Sequence, residues 1–521
     1  MIVGSRKHSY NENGDTMDKI LLLATTDVHG CVNSHSYADS SIQGYGLARF
    51  FSAVKQYRTK NETLVVDNGD ILQGTPLLTI ANKTLEGKHI LSQVMDEIGY
   101  DAINVGNHDF NYGQTVLERY LQDQKAPCLT SNICFQGNPL GKSRIIITKT
   151  GKRIALIGVC TDYIPHWETP VHIQNMDFQS PLETVKSEIK RLKPFSDLRV
   201  VLYHGGLERD PFNGQSTERF TGENVGYQLA LLDDIDILIT GHQHRSFIAK
   251  IGSTLVVQTT FNALAFAEIT IEWNIKPQIE IRIREMKDYP IDLKIEEITR
   301  TVEAKTQVWL DQSLGHVDGP SLKISDAFDA RLHKHPLVSF INQVQCEASG
   351  AQLSACALFN TVTGFNSDIT YRDIVSTYIY PNTLVVKLMS GFVLKEFLEK
   401  CAEYFSVNDN KIIVSPSFDE PKPQHFNYDM VDGIDYTIKV SNPIGQRIIA
   451  LTYQGRPIMD TDVFTIVMNN YRAVGGGDFM MVPPCETVSE VNRDMSEILA
   501  ASIQKHRIYP LHHHANIKVI L

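Results

Sequence analysis

Long apolar runs are missing from this 521-residue chain. No stretch reaches 18 consecutive apolar residues, so the sequence offers no membrane-spanning helix. The polar opening MIVGSRKHSYNENGDTMDK leads to a first apolar run of only Ile20 to Ala24, too short for the core of a secretory signal. The expectation is a cytoplasmic protein, or a secreted or periplasmic one whose native signal is absent from this sequence. Met17 is an alternative start, just ahead of the first strand pattern. Cysteine is sparse, with eight residues and no C-x-x-C pair, which argues against a cysteine zinc site or a thioredoxin-type motif. Their spacing suggests no disulfide framework, and most are expected as small buried hydrophobes. Positive charge is in deficit: 49 Lys and Arg against 60 Asp and Glu leave −11, so nothing favours a nucleic-acid partner. Internal repeats and low-complexity segments are also lacking. With 42% hydrophobic and 21% charged residues, the composition excludes a disordered, collagen-like or coiled-coil chain. The length fits two large domains or about three average ones.

What is present is an alternation. KILLLATTD (19–27), ETLVVDNGD (62–70), AINVGNHD (102–109), RIALIGVCTD (153–162), RVVLYHGG (199–206) and IDILITGHQH (235–244) are short apolar runs closing in polar or small residues. Amphipathic stretches such as LARFFSAVKQYRTK (47–60) and PLETVKSEIKRLK (181–193) lie between several of them. This alternation predicts an α/β domain whose strands are buried on both faces, with its active site at the strands' carboxyl ends. The pattern changes near residue 288. KIEEITRTVEAKTQVWLDQSLG (294–315) reads as one helix connecting two domains, and HVDGPS (316–321) as a turn. The predicted division is 18–290, a linker 291–322, and 323–521. The last part reads as α+β, with helical patterns near 334–349 and 391–405 and strand-like DYTIKVS, RIIALTY and VFTIVMNNY.

The strand ends carry chemistry. Asp27 and His29 form D-x-H after the first run, and Asp70 closes the second. Asn107, His108 and Asp109 close the third, His204 follows a later run, and His242 and His244 form G-H-Q-H. Two divalent cations need about eight ligands with one bridging carboxylate, and mixed oxygen and imidazole donors suit manganese, iron or zinc. D-x-H and H-x-H each let alternate residues aim at one ion, Asp70 is placed to bridge, and Asn107 supplies a neutral oxygen. Two such ions would clamp a phosphoryl group and lower the pKa of a shared water. His108 points elsewhere, toward the phosphate or the leaving oxygen. His512, His513 and His514 read as a terminal cluster rather than a metal site.

In this order D-x-H, G-D, G-N-H-D, H-G-G and G-H-x-H resemble the calcineurin-like metallophosphoesterases, and the second half narrows the likeness to the 5'-nucleotidase family. The resemblance covers residues 18 to 521. It implies a four-layer αββα sandwich carrying a dimetal site, joined by a helix to an α+β substrate-binding domain. It implies a metal-dependent phosphoric ester hydrolase acting on small nucleotides, the alternative to the branch named below being a 5'-nucleotidase or nucleotide-sugar hydrolase. A monomer or weak oligomer is expected. By the same match Asp27, His29, Asp70 and His244 would hold one ion, and Asp70, Asn107, His204 and His242 the other. The segment ENVGYQLALLDDIDILITGHQH (223–244) is similar to the family's approach to its last motif.

The second domain holds TYIYPNTLVVKLMSG (377–391) and VMNNYRAVGGGDF (467–479). Three glycines after an aromatic suggest either a backbone approached closely or a mobile turn. The resemblance implies that Tyr380 and Tyr471 sandwich a nucleobase, with Asn382, Gly475 and Gly476 beside them, so that base identity is read weakly. G-N-H-D-F-N-Y-G, Y-P-N-T-L, N-Y-R-A-x-G-G-G and HFNYDMVDGIDY (425–436) look like the 2',3'-cyclic-nucleotide 2'-phosphodiesterase/3'-nucleotidase branch. Where plain 5'-nucleotidases carry N-G-G-x-R, this chain has FNTVTGFNSD (359–368), without the arginine. Two departures stand out. The catalytic set is His108 with Asn107 and Asn111, and Asn111 stands where the family often has an Asp to orient the histidine. VVQTTFNALAFAEI (256–269) lacks the usual Pro-Gly pattern.

Overall fold

In the computed structural model, residues 18–521 are described, apart from 84–86, 167, 169, 218–219, 274–275, 361, 379–381, 421–422 and 492. The chain divides inside the helix Leu293–Leu310 into two units, the first running to Thr306 and the second from Gln307, with Tyr37–Asp39 counted in the second.

The first unit is built on β1 (Asp18–Thr25), β2 (Glu62–Asp67), β3 (Ala102–Ile103), β4 (Arg144–Ile147), β5 (Arg153–Cys160), β6 (Leu198–His204), β7 (Ile237–Thr240), β8 (Phe247–Ile251), β9 (Thr254–Gln258), β10 (Ala265–Trp273) and β11 (Pro277–Glu285). They form two sheets, ordered β11-β10-β1-β2-β3 and β8-β9-β7-β6-β5-β4. Strands β1, β2 and β3 are parallel, as are β5, β6, β7 and β9. Residues two apart along a strand share a face. Ile20, Leu22 and Ala24 of β1 and Leu64 and Val66 of β2 meet Leu156, Val200, Leu202, Ile237 and Ile239 of the other sheet in one core. The outer faces are buried too. Val201 and Tyr203 pack with Val185, Ile189 and Leu192 of the helix Pro181–Leu192. The helix Leu47–Arg58 lies against β2 and turns Phe50, Phe51 and Val54 inward. The layers are helix, sheet, sheet, helix, and burial on both faces is why these strands read as continuous apolar runs.

Local chemistry sets the ends. The helix Pro181–Leu192 starts where Ser180 caps the Glu183 N–H and proline takes the first turn. AINVGNHD holds only the two-residue β3 before the chain coils into a 3-10 turn at Asn107–Phe110. The linker pattern needs correction. The helix stops at Leu310, and Ser313–Asp318, expected to end the helix and begin a turn, is a strand. It pairs antiparallel with Asp368–Thr370 and parallel with Ile508–Pro510. Gly315 permits this: at φ 152° any Cβ would lie 2.5 Å from the Arg507 carbonyl oxygen.

The second unit centres on a sheet ordered Asp429–Asp432, Leu353–Ala357, Val463–Asn469, Leu384–Ser390, Glu486–Val491. The helices Pro336–Ser349 and Gly391–Ala402 pack with it, and Phe340, Leu353, Val386, Phe397 and Ile466 share its core. The terminal histidines face different partners: His513 meets Ser339 at 3.0 Å and His514 meets Asp435 at 2.8 Å. All eight cysteines are free. No described helix is long and apolar enough to cross a membrane.

Candidate metal centre

The carboxyl ends of β1, β2 and β3 from one sheet and of β6 and β7 from the other converge. Asp27 and His29 follow β1, Asp70 follows β2, Asn107 follows β3, His204 ends β6, and His242 and His244 follow β7. Asp27, His29 and His244 form one compact group of donors, and Asp70, His204 and His242 a second. In the first, the His29 and His244 Nε2 atoms are 3.0 Å apart and His244 Nε2 lies 3.5 Å from Asp27 Oδ1. In the second, His204 Nε2 lies 3.0 Å from Asp70 Oδ2. His204 Nε2 is also 3.9 Å from Asp27 Oδ1, so the groups adjoin.

The backbone is bent to achieve this. Asp27, His29, Asp70, His242 and His244 all have positive φ, between 49° and 69°. Such a conformation costs about 1–3 kcal/mol per non-glycine residue and is concentrated at functional sites. The loops after β2 and β3 touch backbone to backbone: a Cβ on Gly69 would fall 2.3 Å from the Gly106 nitrogen, and one on Gly106 2.5 Å from the Asp70 nitrogen and 2.1 Å from its Oδ1. Imidazoles are aimed by their second nitrogens: His29 Nδ1 meets the Gln73 carbonyl at 3.0 Å and His204 Nδ1 the Asn68 carbonyl at 2.7 Å. His244 is stacked on Phe261, with ring centroids 4.5 Å apart. Phe261 comes from the 256–269 segment that departs from the family pattern.

Three buried atoms test whether a cation fits. Asp70 Oδ2, Asn107 Oδ1 and His204 Nε2 have no hydrogen-bond partner, because the close approach of Asp70 and His204 lacks hydrogen-bond alignment. Each unsatisfied buried polar group costs about 1–3 kcal/mol. Asp70 Oδ2 and His204 Nε2 lie 3.0 Å apart, Asn107 Oδ1 comes from the adjoining turn, and all three are of ligand type, donors a divalent ion would satisfy. Electrostatics agree. Burial opposes a charge on His204, but Asp70 and Asp27 outweigh it and push the imidazole up to about 10. The carboxylates thus draw positive charge, which a metal would supply instead. His244, where burial dominates, is pushed down to about 3 and is neutral, as a ligand must be.

His108 lies beside this centre, its ring centroid 5.4 Å from that of His29. Its backbone N–H donates to Asp70 Oδ1 at 2.7 Å, and its Nδ1 meets Asn111 Oδ1 at 2.7 Å. Asp109 turns the other way. It accepts N–H bonds from Asp70, Ile71, Leu72 and Gly106 at 2.8–3.0 Å and so clamps the Asp70 loop. Burial and the Asp70 charge push its carboxyl up to about 6. Glu223 was legible only as part of a family-like segment; its Oε1 lies 2.8 Å from His242 Nε2. Glu168, which no sequence pattern marks, binds Asn111.

Among the substrate candidates, Tyr380 lies outside the described residues. The Asn382 side chain hydrogen-bonds Tyr378. Tyr471 is 41% exposed, in a T-shaped arrangement with Phe426. What approaches the glycine run is the chain itself: a Cβ on Gly476 would fall 2.5 Å from the Tyr471 ring, and Gly475 has φ 89°. The neighbouring Arg472 is buried, paired with Asp429, and donates to the Gly476 carbonyl. The glycines therefore hold Tyr471 in place.

An αββα sandwich with two donor groups at its strand ends defines a metallophosphoesterase. The calcineurin-like phosphoesterase profile matches residues 20–246, and the 5'-nucleotidase C-terminal domain profile matches 313–483. A Staphylococcus aureus structure described as a candidate 5'-nucleotidase, in complex with alpha-ketoglutarate, is 32% identical; the match covers 97% of this chain and 100% of that one at a TM-score of 0.68. Two proteins named 2',3'-cyclic-nucleotide 2'-phosphodiesterase/3'-nucleotidase are also similar. The one from Yersinia enterocolitica is 28% identical and the one from Haemophilus influenzae 26%, each match covering 87% of this chain and 80% of the relative. The chain belongs to the 5'-nucleotidase family of calcineurin-like metallophosphoesterases. It is a metal-dependent phosphoric ester hydrolase that acts on nucleotides.

Proposed function

We propose that this protein hydrolyses 2',3'-cyclic nucleotides and 3'-nucleotides at a centre holding two divalent ions, manganese, zinc or iron. The observation that carries the dimetal reading is the pair of adjoining donor groups, together with the buried, unpartnered Asp70 Oδ2 and His204 Nε2 of the second group and Asn107 Oδ1. Asp27, His29 and His244 would hold one ion, His204, His242 and Asn107 the other, and Asp70 would bridge. When bound, the ions supply charge stabilisation at the phosphoryl oxygens and a nucleophile at neutral pH. The chain's own residues do the rest. His108, fixed by Asn111 and by its backbone bond to Asp70, presents Nε2 for the phosphate or the leaving oxygen. Tyr471, 41% exposed, would stack a base at about 1–3 kcal/mol, and the family resemblance names Tyr380 as the second aromatic.

Two observations support the cyclic and 3' specificity. The two relatives described above with that name match over most of their length. Residues 359–368 contain no arginine to receive a 5'-phosphate. The test is turnover with added manganese of 2',3'-cyclic AMP, 3'-AMP, 5'-AMP and bis-p-nitrophenyl phosphate in parallel. Turnover of the cyclic nucleotide and 3'-AMP well above 5'-AMP is expected. Dominant 5'-AMP turnover would replace this specificity with that of a 5'-nucleotidase and leave the metal chemistry standing.

A further inference from the structure

His108 faces an amide where a carboxylate would orient it best. An asparagine alone is ambiguous, because its two ends are nearly the same shape and one donates while the other accepts. With the oxygen toward Nδ1, the imidazole carries its proton on Nδ1 and leaves Nε2 free. With the NH2 toward Nδ1, the tautomer is reversed.

The structure removes the ambiguity. Asn111 Nδ2 donates to Glu168 Oε2 at 2.6 Å. Glu168 Oε1 meets His172 Nδ1 at 2.8 Å, and the Glu168 side chain is only 6% exposed. An ionised carboxylate only accepts, so the amide must turn its NH2 to Glu168 and its oxygen to His108. That oxygen can only accept, so Nδ1 must donate. The order His108 Nδ1–H, Asn111 Oδ1, Asn111 Nδ2–H, Glu168 is the one arrangement in which each contact pairs a donor with an acceptor. The contacts are partly buried, and away from full solvent such a chain is strengthened along its length.

We propose that Glu168 is a positioning residue for His108, acting through Asn111 to fix the amide's direction and with it the imidazole tautomer. This rests on the reading of His108 as a residue at the reacting phosphate. Glu168 comes from a separate segment, just after the turn Ile164–His166, where its backbone N–H bonds the Ile164 carbonyl at 2.9 Å. The negative charge missing at position 111 is therefore present one hydrogen bond further out.

The test is a pair of substitutions in two backgrounds. Glu168→Gln keeps the shape but lets the facing amide flip. It is expected to lower kcat for 3'-AMP about tenfold with KM little changed, a fraction of what general acid–base groups contribute. In an Asn111→Asp background the acceptor is fixed and Glu168 stands beside a second carboxylate. There Glu168→Gln is expected to leave kcat unchanged or raise it. The second readout is 15N NMR of the zinc-loaded, histidine-labelled protein. It is expected to show His108 protonated at Nδ1 in the native chain, mixed tautomers in Glu168→Gln, and Nδ1–H restored in the double variant. Equal losses in both backgrounds, or an unchanged tautomer in Glu168→Gln, would overturn the proposal and leave Glu168 merely holding its loop. Full turnover by a folded His108→Ala variant would instead overturn the reading of His108 on which the proposal rests.

Discussion

Side-chain direction at this centre depends on backbone that most residues avoid. Asp27, His29, Asp70, His242 and His244 sit at positive φ, where a β-branched replacement would be strained even with the right donor atoms. His108, by contrast, is aimed by hydrogen bonds. If it protonates the leaving oxygen, His108→Ala should lower turnover of 3'-AMP about a thousandfold. The loss should shrink on p-nitrophenyl phosphate, whose leaving oxygen needs no proton; comparing kcat on the two esters checks this. A second histidine gives a pH signature away from the centre. His89 caps the helix Ile90–Ile98 by accepting the Leu91 N–H at Nδ1, while Nε2 lies 2.9 Å from Asn82 Oδ1. That role needs the neutral ring, and burial, with Arg119 nearby, pushes it down to about 4. The unfolded chain then binds the extra proton first. Stability is complete above the ordinary histidine pKa and is lost as pH falls toward 4, by about 3 kcal/mol at the limit. Urea midpoints between pH 7.5 and 4.5 should fall more steeply for the native chain than for His89→Asn, which keeps a capping oxygen.

Among the elements, the strands aim nothing by themselves; the loops after them do. The N-G-D loop after β2 and the G-N-H-D turn after β3 pack with almost no space between, and Asp109 ties them through four backbone N–H groups. Gly106 is needed for closeness rather than for a left-handed backbone, since its φ is −108°. Gly106→Ala should push Asp70 aside and weaken manganese binding at least about tenfold while far-UV circular dichroism stays native. Calorimetric titration with manganese measures it. The amphipathic helices were legible from sequence because their period is local. The strand Ser313–Asp318 was not, because its partners lie far along the chain and its Gly315 looked like a helix end.

Across the whole molecule, the two units have separate cores, and the donor groups lie in the first. Metal binding should therefore stabilise the first unit by mass action. A chelator should lower its calorimetric transition, and manganese at about a hundredfold excess over its Kd should restore about 2.7 kcal/mol. A transition unmoved by either treatment would count against a bound ion there.

Sequence by itself determined which donors exist, that they close apolar runs, and that those runs are buried on both faces. Each of these is a local property, set by residue type and periodicity. The tertiary structure decided how the side chains pair. Asp109 and His108 are adjacent in sequence, yet one clamps the Asp70 loop and the other faces Asn111. Glu223 reaches His242 because β6 and β7 are neighbours in one sheet, and Glu168 reaches Asn111 because the two sheets pack face to face and bring together loops far apart in the chain. A hydrogen bond needs direction as well as residue type. Direction here comes from φ angles and long-range packing that no local pattern records.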